Sequence, residues 1–339
     1  MSTHRCWYFN RRPRHEIEAD TLQLRELPRA PLQDGEFRLR HLYLSLDATN
    51  RLWISEWDLY MPTIAPGSPM LGFVLGEVVE SRHPGFAVGS LAAGLAPWAD
   101  ESVSTGEGFS PMPRIPGLPL AEAFGILAVA GPSAYVGLMD IGRPKPGDTV
   151  VVSAAAGAVG MIVGQLARIH GCRVIGVAGG AEKCRWLKDE LGFDAVVDYR
   201  QGDLLGQLRQ AAPEGIDLHY ENVGGEILDA ALSCMNNFGT VVVCGLIASY
   251  NAGSDPVPGP YMFRNVIMRR LRIEGFVVLD HLDKYPQYQQ KLAAWMLEGK
   301  IKYRLHVVDG LARASEALKL LYTSGNQGKL MVRIGAEPA

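Results

Sequence analysis

Val150-Val151-Val152-Ser153-Ala154-Ala155-Ala156-Gly157-Ala158-Val159-Gly160, followed by the mainly apolar run from Met161 to Ile169, is the stretch on which the reading of this chain turns. A β-branched segment, a turn of small residues and then apolar residues at helical spacing predict strand, phosphate-binding turn and helix. Gly157 lets the backbone approach a pyrophosphate, the first N–H groups of the helix point at that anion, and Gly160 lets the helix lie close to the strand. The pattern is A-x-G-x-x-G, with Ala155 where G-x-G-x-x-G has its first glycine. Alone, such a turn fits ordinary helix-on-strand packing as well as a dinucleotide site, so its surroundings decide.

A regular alternation of strand and helix patterns follows it. Arg173 to Ala178 reads as a second strand, Ala181 to Leu191 as a helix, Ala195 to Asp198 as a third strand and Ile216 to Tyr220 as a fourth. Gly225 to Met235 is the next predicted helix, Gly239 to Leu246 a fifth strand, Leu271 to Leu279 a sixth and Tyr285 to Gly299 a closing helix. Strands separated by helical crossovers imply a parallel, doubly wound α/β sheet, and six strands match a full dinucleotide domain. Upstream, Ala123 to Met139 is small and apolar at helical spacing, and Pro144-Lys145-Pro146-Gly147-Asp148 marks the turn into the first strand. Before about Glu122, short β-like runs such as Phe37 to Leu46 and Gly72 to Glu80 alternate with Pro-Gly punctuation, which predicts an irregular β-barrel. After about Lys300, Tyr303 to Val308, Leu311 to Tyr322 and Lys329 to Ile334 read as strand, helix and strand, a tail expected to return to the first domain. The expected division is 1–122 for a substrate domain, 123–300 for a dinucleotide-binding domain and 301–339 for the returning segment.

The length of 339 residues exceeds the usual size of one core and agrees with two domains. A formal net charge of -3 argues against a nucleic-acid binder. Arg11-Arg12-Pro13-Arg14 does stand beside Trp7-Tyr8-Phe9, a combination that can clamp a single strand, but a short first strand followed by a solvated arm is the simpler reading. The first residues contain no apolar run of signal-peptide length, and no segment approaches the roughly 20 apolar residues of a membrane span, so a cytoplasmic protein is expected. The five cysteines are odd in number and scattered without C-x-x-C, which supports neither a disulfide framework nor a cysteine zinc site.

An NAD site usually ends its second strand in Asp or Glu, which binds the adenosine ribose hydroxyls. Here that strand runs into Val177-Ala178-Gly179-Gly180-Ala181-Glu182-Lys183, with no carboxylate at its end and a cation soon after. Lys183 would attract a 2′-phosphate, which favours NADP. The other reading keeps Lys183 as an exposed first-turn residue and turns Glu182 inward to the ribose.

Ala154 to Gly160, Gly171-Cys172-Arg173-Val174-Ile175-Gly176, Glu182-Lys183, Gly192-Phe193-Asp194 and Asp198-Tyr199 closely resemble the zinc-independent medium-chain dehydrogenases/reductases. More narrowly, the chain is similar to the prostaglandin reductase and alkenal double-bond reductase group. Glu221-Asn222-Val223-Gly224-Gly225, Cys244 to Asn251, Leu297 to Ile301 and Gly325 to Lys329 extend the likeness over nearly the whole chain. The resemblance implies a Rossmann domain beside a GroES-like substrate domain, NADPH as cofactor and a homodimer. It implies that Gly157, Ala158, Val159 and Gly160 hold the pyrophosphate, that Lys183 and Tyr199 meet the 2′-phosphate beside Gly180, and that Asn222 lines the cofactor groove. Cys244, Gly245 and the run to Tyr250, with Phe276 to Val278, would flank the nicotinamide half, and Asn326 would reach back from the tail. Without the resemblance, Tyr199 is a half-buried aromatic at a strand end, and Asn222 and Asn326 are turn residues near glycine.

Alcohol dehydrogenation normally needs an electrophile such as a metal to hold the alkoxide. Gly72-Phe73-Val74-Leu75-Gly76-Glu77, which compares with the Gly-His-Glu zinc segment of metal-dependent relatives, has no His or Cys, and the eight histidines show no pair at helical ligand spacing. No metal is therefore expected, and the easier reaction is hydride addition to a carbon–carbon double bond conjugated to a carbonyl. The protein then positions two π systems and donates a hydrogen bond to the enolate oxygen. The resemblance nominates Tyr250 as that donor, since a phenol with a pKa of roughly 10 keeps its proton at neutral pH. The alternative is a loop tyrosine packed over the cofactor. Where the family carries Asp-Pro-Tyr-Met-Arg, this chain has Asp47-Ala48-Thr49-Asn50-Arg51, without the pocket tyrosine. Asn50, Arg51, Trp53, Tyr60, Phe73, Trp98 and Tyr261 are candidate walls for a small enone or enal, although the same side chains would equally build a barrel core. A quinone reductase and a non-catalytic NADPH-binding protein are the rival readings. Leu271 to Leu279, as an edge strand, is expected to pair with its symmetry mate in the homodimer.

Overall fold

The computed structural model describes residues 2–338. In its first part β1 (Thr3–Phe9) and β2 (Leu22–Pro28) form a hairpin. Then come β3 (Phe37–Ser45), the short helix α1 (Thr49–Trp53), β4 (Leu71–Ser81), β5 (Leu91–Pro97), β6 (Glu101–Ser104) and β7 (Phe109–Pro111). Helices α2 (Leu120–Leu127) and α3 (Ala130–Tyr135) lead, through a π-helical turn at Val136–Gly142, to the nucleotide sheet. Its elements are β8 (Thr149–Val152), α4 (Gly160–Ile169), β9 (Arg173–Ala178), α5 (Ala181–Arg185), β10 (Ala195–Asp198), α6 (Leu204–Ala211) and β11 (Ile216–Glu221). It continues with α7 (Gly225–Cys234), β12 (Met235–Val243), α8 (Asn265–Met268), β13 (Arg272–Gly275) and α9 (Tyr285–Leu297). The tail holds β14 (Leu305–Asp309), α10 (Ala314–Lys319) and β15 (Lys329–Arg333).

The nucleotide sheet is wholly parallel, in the order β10-β9-β8-β11-β12-β13. The order reverses between β8 and β11, and the crevice beyond the carboxyl ends of those two strands is where a doubly wound fold takes its ligand. The strand period of two explains the layers. Val150 and Val152 face α2, α3, α4 and α9, whereas Val151 faces the opposite layer built on α6 and α7, so β8 is buried on both sides. Each of these valines is worth about 2 kcal/mol relative to exposure.

The second large sheet has the order β14-β15-β3-β4-β5-β7, with β6 also paired to β3. The last strand of the chain, β15, lies antiparallel to β3, Met331 opposite Ser45. Lys329 Nζ donates to Asp47 Oδ1 at 2.5 Å and to the Leu46 carbonyl at 3.2 Å, fixing the segment that follows β3.

Several sequence expectations change. The sixth strand is only four residues long, because after Gly275 the chain leaves the sheet and Phe276 to Leu279 turn over the crevice. β12 starts earlier than expected and ends at Val243, since Cys244 and Gly245 donate their N–H groups to the Glu221 carbonyl and turn away. α6 has no counterpart in the sequence reading. The basic arm is more than solvated: Arg12 Nη1 donates to the Ser55 carbonyl, and buried Arg51 donates to the His15 and Pro13 carbonyls. The helical stretch Leu120–Gly142 is long and apolar enough to cross a membrane, with a mean hydropathy of 1.5 over its most apolar window, contrary to the expectation that no segment approaches that length. Most of that window is buried inside the protein, which makes it a core helix.

Candidate active site

A cleft of about 540 Å³ opens at the switch point between β8 and β11 and receives side chains from both sheets and from the tail. One end of it is the turn after β8. Ala154 takes the left-handed conformation (φ +47°), and Gly157 donates its N–H back to the Ala154 carbonyl at 2.8 Å. This folds the turn so tightly that a Cβ on Gly160 would stand 2.4 Å from the Ala154 oxygen. Gly157, Ala158, Val159 and Gly160 all line the cleft, and the turn runs straight into α4, with Met161 donating to the Gly157 carbonyl and Ile162 and Val163 to the Val159 carbonyl. Ala155 is fully buried against the sheet, so the missing first glycine changes packing and leaves the ligand-facing wall intact.

Beyond the end of β9 the Tyr199 ring lies on Gly179, where a Cβ would come within 2.6 Å of it. Lys183 and Tyr199 line the cleft; Gly180 does not, because its N–H donates to Asp198 Oδ1 at 2.9 Å behind the wall. Lys183 is half buried rather than an exposed first-turn residue. Burial, reinforced by the nearby charge of Arg200, lowers its pKa.

At the other end lie Asn222, Cys244, Gly245, Phe276, Val278 and Asn326. Asn222 is held from beneath: its N–H donates to Ser153 Oγ at 2.7 Å and its side-chain amide to the Ser153 carbonyl at 2.8 Å. Ser153 Oγ in turn donates to the buried Glu221 carboxylate, which also accepts from the Val223 and Gly224 N–H groups and from His219 Nε2. Burial alone would raise the Glu221 pKa, but His219 and these hydrogen bonds outweigh it and hold the group ionised. Asn326 donates to the Gly328 carbonyl at 2.9 Å, a turn contact made within the cleft wall. Burial pushes the Cys244 thiol up to about 11, which makes it a neutral wall.

Tyr250 lines this same end. Its oxygen accepts the Leu246 N–H at 3.0 Å, and burial pushes its pKa up to about 12, so the phenol keeps its proton and has it free to donate. Of the proposed substrate walls, Trp53, Tyr60 and Phe73 line the cleft, and Tyr60 accepts from Trp53 Nε1 at 3.3 Å. Asn50, Arg51, Trp98 and Tyr261 do not. Asn50 is buried, accepting the Asp47 N–H and donating to the Leu71 carbonyl. Arg51 holds the arm from inside, Trp98 is a core residue packed on Gly72, and Tyr261 is 78% exposed on the surface. The sequence reading missed Asp47, Tyr322 and Ser324, all of which line the cleft. Tyr322 donates to the Ala48 carbonyl at 2.8 Å. The position of Asn326 a few residues along was the available signal for the last two.

A narrow backbone cradle that a Cβ at Gly160 would obstruct, an aromatic shelf at Tyr199 with a cation beside it, and apolar walls at the far end together fit a dinucleotide with a 2′-phosphate. Among the described residues no three His, Cys, Asp or Glu side chains are grouped to hold a metal ion.

Residues 5–112 match the family described as the N-terminal domain of oxidoreductase, and residues 158–297 that described as zinc-binding dehydrogenase. The chain is 39% identical to the NADPH-dependent curcumin reductase of Escherichia coli over 338 residues, covering 98% of this chain and 97% of that protein. It is 37% identical to the NADP(+)-dependent 2-alkenal reductase of Nicotiana tabacum, covering 95% and 93%. The crystal structure of CurA from Vibrio vulnificus in complex with NADPH superimposes with a TM-score of 0.92 at 35% identity, over 98% of this chain and all of that one. Likeness of this extent in sequence, fold and cleft shows that the chain belongs to the NADP-dependent medium-chain dehydrogenase/reductase family of oxidoreductases.

Proposed function

We propose that the protein reduces the carbon–carbon double bond of α,β-unsaturated ketones or aldehydes with NADPH and without a metal. The observation that carries this reading is Tyr250, a protonated phenol whose oxygen is already fixed by the Leu246 N–H and which lines the cleft beside Asn222, Cys244 and Gly245. NADPH, when bound, supplies the hydride for the β carbon of the substrate. Gly157 to Gly160 would hold its pyrophosphate and Lys183 and Tyr199 its 2′-phosphate, while Asn222, Cys244, Gly245, Phe276 and Val278 enclose its nicotinamide half. Trp53, Tyr60 and Phe73 would confine the substrate against that face and keep water out. Tyr250 would stabilise the enolate oxygen by hydrogen bonding as charge moves onto it. Tyr60 is a second phenol on the same wall, with its oxygen engaged by Trp53 and its proton free, and would share that role.

NADPH oxidation measured with a panel of enones, enals and quinones tests the proposal. Turnover of enones and enals is expected; turnover of quinones alone would replace the reading with a quinone reductase, and NADPH binding without turnover would leave a nucleotide-binding protein.

The further expectations join this reading. We take 1–122 with 301–339 as the substrate unit and 123–300 as the nucleotide domain, on the strength of the β15 to β3 pairing. The five cysteines are free thiols, in keeping with a cytoplasmic protein. A homodimer is supported by β13, an edge strand with Ile273 partly exposed, and by the neighbouring exposed side chains of Phe263, Ile267 and Met268.

A further inference from the structure

We propose that Ser324 and Arg200 complete the 2′-phosphate site begun by Lys183 and Tyr199, so that a phosphorylated dinucleotide is selected from both sides of the cleft, by the tail as well as by the nucleotide sheet. The proposal rests on the reading of the cleft as an NADPH site and adds two residues to it.

Ser324 lies beyond α10 with φ +56°, a conformation uncommon for residues other than glycine and asparagine. Such an outlier persists where the surroundings make use of it. Its hydroxyl faces Lys183, whose ammonium donates to Ser324 Oγ at 3.0 Å and to the Ser324 carbonyl at 2.9 Å. A hydroxyl that accepts from an ammonium keeps its own proton to donate, and Lys183 keeps a third N–H. Arg200 reaches the same place. Its Nη2 points at the Thr323 carbonyl at 3.4 Å, and its Nη1 lies 3.7 Å from where a side chain on Gly180 would begin.

Two cations, a hydroxyl and the Tyr199 phenol thus lie together beside the cleft, and neither nearby acid forms a side-chain ion pair with Lys183 or Arg200 among the described residues. Asp198 accepts from the backbone N–H groups of Gly180 and Arg200, and Glu182 faces Arg304 at 3.8 Å. Burial and Arg200 both press Lys183 toward losing its proton, against an opposing pull from Glu182. A bound phosphate dianion relieves that repulsion and accepts every free donor in the group.

Calorimetric titration of the intact protein with 2′,5′-ADP and with 5′-AMP isolates the 2′-phosphate from any catalytic step. Ser324→Ala, Ser324→Gly and Arg200→Gln are each expected to lower 2′,5′-ADP affinity about tenfold and to leave 5′-AMP affinity unchanged. Glycine relieves the left-handed backbone while deleting the hydroxyl. If Ser324 served the turn alone, Ser324→Gly would bind 2′,5′-ADP like the wild type, and the proposal would fall. It falls equally if the variants weaken both ligands alike. A wild type that fails to discriminate between the ligands would overturn the NADPH reading itself, whereas discrimination that is undiminished in the variants overturns only the roles of Ser324 and Arg200.

Discussion

The proposed role of the Tyr250 hydroxyl rests on what its neighbours do to it. Leu246 fixes the oxygen and burial secures the proton, so donation is not limited by ionisation until the pH approaches 12. Tyr250→Phe is expected to lower kcat about a hundredfold with NADPH affinity unchanged, as initial rates and a fluorescence titration would show. Unchanged turnover would remove Tyr250 from the chemistry. A second residue, His41, sets a pH limit on the fold. Its Nδ1 faces the Ala99 carbonyl and its Nε2 the Ser102 hydroxyl, each at 2.8 Å, a pairing that a neutral ring satisfies by donating to the first and accepting from the second. Burial pulls its pKa down to about 4, below the ordinary value of about 6.5. Because the folded pKa is depressed, the unfolded chain takes up the proton first. The stabilisation is therefore complete above about pH 6.5 and is lost as the pH falls toward 4, by about 3 kcal/mol in all. Urea midpoints measured across that window are expected to fall; a flat profile would show that His41 titrates normally.

At the scale of elements, the strand, turn and helix at 149–169 were legible because their chemistry is local: three valines, a run of small residues and an apolar helix face. Gly160→Ala tests the tightness of that unit. Its Cβ would stand 2.4 Å from a backbone oxygen that cannot swing away, so a loss of about 1–3 kcal/mol in stability is expected from thermal or urea unfolding, with weaker NADPH binding. Wild-type stability would mean that the turn adapts. The misreadings were not local. Leu271 to Leu279 alternates apolar residues with Arg272 and Glu274 and then runs apolar from Phe276 to Leu279, a strand-like pattern throughout, and only the tertiary path shows that its second half covers the cleft instead of extending β13. Asn50, Arg51 and Trp98 carry pocket-like side chains, but Asn50 bonds the backbone of Asp47 and Leu71, Arg51 that of the arm, and Trp98 fills the core, since composition does not tell a pocket wall from an interior. Ser324 escaped notice because its partner Lys183 is remote in sequence and its backbone angle leaves no sequence signal.

For the whole molecule, assembly is the open expectation. Sedimentation velocity at micromolar concentration is expected to show a dimer, and Ile267→Glu, on the exposed surface beside β13, to shift it toward monomer. A wild type that sediments as a monomer would end that view.

The pairing of β15 with β3 also bears on how the protein is made. The Tyr43–Ser45 end of β3 leaves the ribosome well before its antiparallel neighbour, which is translated only after the whole nucleotide domain. The intervening nucleotide domain is contiguous and can fold as it emerges. Throughout that interval the nascent chain carries an open strand edge beside β3 and the unmatched Asp47, which Lys329 later neutralises. Chains released before residue 329 therefore keep an adhesive flank, and they are natural clients for chaperones and proteases.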